Sequence, residues 1–268
     1  MFKKKNISKN DNLIFYLAFS AFFHLSSCLC SIFSDYKNND SQIFTLEYFS
    51  RFLTWWSFHA SLFTFFTFFY VIVKKYFFHN KINSKKGRYW EQILYVITNN
   101  ANLVSMIIFF SGVFSDIFFL KEGKRSIPVS KNEKIFYWIY TICWHFIAPS
   151  LWIKYFCNID LSLLRNELKH NESGSFIHIF SHPLIYFLFL VFRGANSITI
   201  RKKYPYGFIE TVMEKKSSFL ENFYFELTFS LFFYLLFYLI SIFSLKFNEK
   251  FFIKKIDKNK VEIYNFNY

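Results

Sequence analysis

The chain has 268 residues, 53% hydrophobic and 25% aromatic, with 43 Phe against only 6 Gly and 4 Pro. A soluble domain of this size cannot cover so many large apolar side chains, so the composition excludes an ordinary soluble globular protein. The net charge of +14 raises the question of nucleic acid, but the Lys and Arg residues sit in short connections between apolar stretches, a pattern that sets membrane topology and suits anionic headgroups.

Six apolar stretches follow in chain order, and a hydrocarbon core is crossed by about 20 apolar helical residues. The spans expected are Asn12–Phe33, Phe44–Val73, Ala101–Leu120 (with a possible start near Ile93), Ile135–Phe156, Phe176–Arg193 and Phe223–Leu245. The expected fold class is therefore an all-α integral membrane protein, a bundle of six transmembrane helices. Residues 1–245 form its single domain, and 246–268 are a basic tail at the membrane surface. With alternating loops, one side collects 18 Lys and Arg and the other 11, which predicts that both termini are cytoplasmic in a multi-pass cell-membrane protein. Membrane lipids are the expected partners, and no nucleic acid is expected.

The first stretch follows Lys3, Lys4 and Lys5 and contains Leu25-Ser26-Ser27-Cys28, which has the form of a weak lipoprotein cleavage box. Its apolar run continues past Cys28 and five more spans follow, so an uncleaved first helix is the simpler expectation. Cys28, Cys30, Cys143 and Cys157 form no CxxC pair and no Cys/His pattern with zinc spacing, so free thiols are expected and neither a metal nor a cofactor.

Ionisable residues inside a span are costly and usually face the bundle interior or a water-filled cavity. The candidates are Glu47, Arg51, Thr54 and His59 on the second span, Asp116 on the third, His145 on the fourth, His182 and Arg193 on the fifth, and Glu226 on the sixth. Glu47 and Arg51 are spaced i, i+4 and share a helix face. At 1.5 Å rise per residue, Thr54 and His145 each lie about 15 Å below the start of their spans, both entered from the same side, and so share one depth. A hydroxyl becomes a nucleophile when a nearby imidazole takes its proton. The bland readings are a Thr bonded to its own i−4 carbonyl and a His serving only to join helices. Asn99, Asn100 and Asn102 are read as interhelical hydrogen-bonding residues. Neither a Gly-x-Ser-x-Gly elbow nor a His-Glu-x-x-His, P-loop or dinucleotide motif is present.

Four stretches together resemble a six-pass family that includes the androgen-induced and androgen-dependent membrane hydrolases of animals, with uncharacterised bacterial and mycoplasmal relatives. They are Arg51-Phe52-Leu53-Thr54-Trp55-Trp56-Ser57, Trp144-His145-Phe146-Ile147-Ala148-Pro149, His182-Pro183-Leu184-Ile185-Tyr186 through Arg193-Gly194-Ala195, and Tyr204-Pro205-Tyr206-Gly207-Phe208-Ile209-Glu210. The order agrees from about residue 44 to 210, and the composition is most similar to the mycoplasmal branch. Phe58, Gly207 and Glu210 depart from residues common in bacterial members. The resemblance implies hydrolysis of fatty-acid esters, with Thr54 as nucleophile and His145 as base. Arg193 is then a candidate for binding a substrate carboxylate or oxyanion, and Asp116, by depth, for orienting His145. The competing expectations are a non-enzymatic small transporter or lipid-binding scaffold, for which Pro149 and Pro183 interrupt helices without any repeated halves, and a structural Thr54–His145 hydrogen bond without catalysis.

Overall fold

The computed structural model describes residues 9–38, 56–77, 84–119, 131–170, 176–186, 188, 224, 227–228, 231–232 and 234–251. Among the described residues the regular structure is entirely helical. The helices are α1 (Lys9–Asn38), α2 (Trp56–Phe77), α3 (Lys85–Phe119), α4 (Lys131–Ile142), α5 (Ala148–Phe156) and α6 (Ser162–His170), with a π-helical turn (Cys143–Ile147) joining α4 to α5. Two further helices, α7 (176–186) and α8 (234–251), follow.

Two of these helices are long and apolar enough to cross a membrane, over Leu13–Cys30 in α1 and over Trp56–Phe77 in α2. The distribution of their side chains is inverted relative to a water-soluble helix. On α1, Phe15, Phe19 and Phe22 are exposed while Ser20, His24 and Ser27 are buried; on α2, Phe65, Phe66 and Phe69 are exposed while Ser61, Thr64 and Thr67 are buried. Large aromatics outside and small or hydroxyl-bearing residues inside suit a solvent as apolar as the side chains themselves. There, close packing and hydrogen bonds drive helix association in place of burial of apolar surface.

The centre is formed by α1, α2, α3 and the α4–π–α5 segment. α1 packs along α5, α2 and the π turn, and α3 packs against α2 and α5. One buried cluster gathers Leu17, Val96, Trp152, Phe156, Leu161 and Leu164, and a second gathers Trp56, Ala60, Ala101, Val104, Tyr186 and Phe237. The asparagines of α3 join helices: Asn99 donates to Ser244 Oγ (2.9 Å) and Asn100 to Ser241 Oγ (2.7 Å), both on α8.

α3 begins well before the apolar stretch from which its span was read. Ser84 starts it, its Oγ accepting from the Gly87 backbone N–H at 3.0 Å, which satisfies one of the N–H groups a helix start leaves open. At 35 residues α3 is about 50 Å long, more than a hydrocarbon core about 30 Å thick requires. Its polar first turns carry Glu91, which pairs with Lys74 at the end of α2.

α8 likewise runs past Leu245, where the basic tail was expected to begin, through to Phe251. The physical reason is Asn248. It is fully buried, donates to the Phe156 and Ile159 carbonyls (2.7 and 3.1 Å) and accepts from Arg165 Nη1 (2.8 Å). On the other flank of the same connection, Gln92 donates to the Asp160 carbonyl (2.9 Å) and accepts from the Leu164 N–H (2.7 Å). Replacing Asn248 with Ala removes three hydrogen bonds at a buried position and leaves the Ile159 carbonyl without this donor, while the Phe156 carbonyl keeps the Ile159 N–H and Arg165 keeps Glu249, so a loss of about 1–3 kcal/mol is expected. A thermal melt of the detergent-purified variant checks it, and an unchanged midpoint would show that water replaces the amide.

Candidate functional site

His145 stands in the middle of the π turn. The Ala148 N–H reaches back five residues to the Cys143 carbonyl, one residue further than in an α-helix. Pro149 follows directly. Its ring has no N–H for the carbonyl of the preceding turn and crowds it, and the widened turn is the relief. The widening aims the imidazole into the bundle. His145 Nδ1 lies 3.2 Å from Ser57 Oγ on α2 and 3.1 Å from Ser105 Oγ on α3. The Phe109 ring stacks on the imidazole, with centroids 5.2 Å apart and planes 4° from parallel. Both serines are buried, at 7% and 0% exposure.

Behind His145 lies a second polar group. His24 on α1 is fully buried, with Nδ1 3.1 Å from Ser61 Oγ and Nε2 2.8 Å from Asn102 Oδ1. Asn102 Nδ2 donates to Thr64 Oγ1 (3.0 Å) and to the Thr98 carbonyl (2.9 Å). Ser61 also accepts from Trp144 Nε1 (2.7 Å), and its Oγ lies 2.9 Å from the Ser57 carbonyl. Trp144 and His145 are adjacent in the π turn, so the two groups share one rigid segment. Ser20 Oγ, donating to the Ala148 carbonyl at 2.7 Å, ties α1 to the end of that segment.

A third cluster joins α2 to α7. His59 Nδ1 is 3.2 Å from His182 Nε2, and Trp56, Phe63 and Tyr186 pack their rings about the pair. Trp56 Nε1 donates to the Ala101 carbonyl at 2.9 Å. Among the described residues no three His, Cys, Asp or Glu side chains group to hold a metal ion. The four cysteines are free thiols; Cys28 is buried and the other three are partly exposed.

No family model, curated protein or solved structure matches this chain.

Of the residues singled out from sequence, His145 is placed against hydroxyls of α2 and α3, and His59 and His182 are brought together. Thr54, Arg193, Glu47, Arg51 and Glu226 lie outside the described residues, as does the stretch Tyr204–Glu210. Asp116 falls near the end of α3, and its side chain is outside the described set. Sequence reasoning missed Ser105, His24, Ser61 and Asn102 as neighbours of this region, and took Ser57 only as part of a motif. A signal was present. Ser20, His24 and Ser27, then Ser57, Ser61 and Thr64, and then Thr98, Asn102 and Ser105 each repeat at i, i+4, i+7, which is one helix face.

Proposed function

We propose that this chain is a six-pass membrane protein, with both termini cytoplasmic, that hydrolyses acyl esters of lipids within the bilayer. The observation that carries the reading is His145, held in a π turn with two serine hydroxyls on its Nδ1. The inverted side-chain distribution of α1 and α2 supports the membrane setting, and the motif order supports the chemistry.

In this reading Nδ1–H of His145 donates to Ser57 or Ser105, which fixes the ring and leaves Nε2 with the lone pair of a general base. Thr54 precedes Ser57 by three residues in the sequence, and the motif resemblance gives it the role of nucleophile. Thr54 Oγ1 attacks the ester carbonyl as Nε2 takes its proton. The bond to the alcohol oxygen breaks, and His145 returns the proton to that oxygen. Water then releases the fatty acid by the reverse sequence. Arg193 binds the substrate carboxylate or the oxyanion, and Asp116, eleven residues along α3 from Ser105, contributes to substrate binding away from His145. Membrane lipids supply the substrates, and neither cofactor nor nucleic acid takes part.

Full-length protein in native membranes is treated with an alkyl fluorophosphonate, and the adducts are mapped by tandem mass spectrometry. A phosphonyl group on Thr54, absent from His145→Ala at equal expression, is the expected result. A wild-type protein without a Thr54 adduct and without ester turnover would give way to the transport or scaffold reading.

A further inference from the structure

We propose that Ser61 is a second activated hydroxyl, with His24 as its base and Asn102 as the residue that orients that base, and that Ser61 accepts an acyl group from an acyl ester in the membrane. This rests on the membrane setting but not on Thr54 chemistry.

Donor accounting settles the protonation pattern. Both N–H bonds of the Asn102 amide are committed, one to Thr64 Oγ1 at 3.0 Å and one to the Thr98 carbonyl at 2.9 Å. The atom that faces His24 is therefore the amide oxygen, an acceptor, and turning the amide over would set oxygen against the Thr98 carbonyl. His24 Nε2, 2.8 Å from Asn102 Oδ1, must then carry a proton. A neutral imidazole protonated on Nε2 presents a lone pair on Nδ1, and that atom is 3.1 Å from Ser61 Oγ. Trp144 Nε1, a donor only, occupies the acceptor side of the same oxygen at 2.7 Å, so the Ser61 proton must point toward an acceptor. Two acceptors are in reach, His24 Nδ1 and the Ser57 carbonyl at 2.9 Å. Nucleophile, base and a third group that fixes the tautomer of the base are thus in line, drawn from α2, α1 and α3.

The step balances without an added co-reactant beyond the ester. Ser61 Oγ attacks the acyl carbonyl carbon and passes its proton to His24 Nδ1. The carbonyl π electrons move to oxygen, forming the tetrahedral intermediate. Collapse of that intermediate breaks the bond to the alcohol oxygen, which departs with the proton from His24. Acyl-Ser61 and a free alcohol remain. Ser61 is 6% exposed and lies where α1 packs on α2, so acylation requires those helices to separate there.

Purified full-length protein in lipid nanodiscs is incubated with an alkyl fluorophosphonate, and adducts at Ser61 and Thr54 are quantified separately by peptide fragmentation. A Ser61 adduct that falls about 100-fold or more in His24→Gln, while a Thr54 adduct is unaffected, is the expected result. Absence of a Ser61 adduct, or one equal in wild type and His24→Gln, overturns the proposal even where Thr54 is labelled. Conversely, a Ser61 adduct without a Thr54 adduct leaves it standing and removes Thr54 as the nucleophile of the hydrolase reading. A second measurement needs no substitution: ring-nitrogen NMR of the labelled wild type is expected to find His24 protonated on Nε2 with Nδ1 bare. A proton on Nδ1 in place of Nε2 overturns the proposal as well.

Discussion

Replacing His145 with alanine is expected to lower turnover of a long-chain ester by about 100-fold or more, the contribution usual for a positioned general base. Thr54→Ala is expected to abolish it to the same level, because base and nucleophile act as a unit and their losses do not add. The serines separate the roles. Ser57 and Ser105 both lie within 3.2 Å of Nδ1, so either can hold the ring when the other is removed. Ser57→Ala and Ser105→Ala are each expected to cost far less than His145→Ala, and the double variant more than the sum of the two. Steady-state kinetics in nanodiscs, with melting points to exclude misfolding, decides this. If Ser57→Ala alone removed activity while Thr54→Ala kept it, the nucleophile would be Ser57, with Nδ1 as the basic nitrogen.

Much of this arrangement is legible in the chain, though unevenly. Apolar stretches mark where the described helices run, and two of them, α1 and α2, are apolar over a length that can cross a membrane. They mark helix ends poorly, because a helix does not stop where its apolar run stops. Ser84 caps α3 well before its apolar part, and Asn248 draws α8 into the body of the protein after Leu245. His145 could be found as an ionisable residue at mid-depth. Its partners could be found only by reading polar stripes at i, i+4, i+7 on three helices at once. Which stripes face each other depends on helix rotation, and rotation is set by packing rather than by any one helix. His24 shows the gap best. On α1 alone it is a single histidine among apolar residues, and it acquires a protonation pattern only from Asn102, 78 positions away. The same holds for His59 and His182, which are 123 positions apart and make contact only where α2 meets α7.

The π turn is the feature that sequence marks only by Pro149, and it yields the most demanding test. A π turn holds one residue more than an α turn, and each residue of an α-helix rotates the next by about 100°. The extra residue shifts the angular register of α5 relative to α4: Thr141 before the turn and Trp152 and Phe156 after it are all buried, with His145 between them against Ser57 and Ser105. Phe146 is the outward member of the turn, at 45% exposure. Deleting Phe146 should close the segment to a regular helix while both flanking faces stay in place. The protein is then expected to melt close to wild type, because little buried surface is lost, yet to lose as much activity as His145→Ala, because the imidazole no longer meets Ser57 and Ser105. Retained activity would mean that the ring reaches its hydroxyls from an ordinary helix and that the widening is only the response of the backbone to Pro149. Loss of the folded state would mean that the two faces are coupled through the turn, as the bonds from Ser20 to the Ala148 carbonyl and from Trp144 to Ser61 would transmit. In that case, Ser20→Ala should restore folding to the deletion by freeing α5 to adjust against α1.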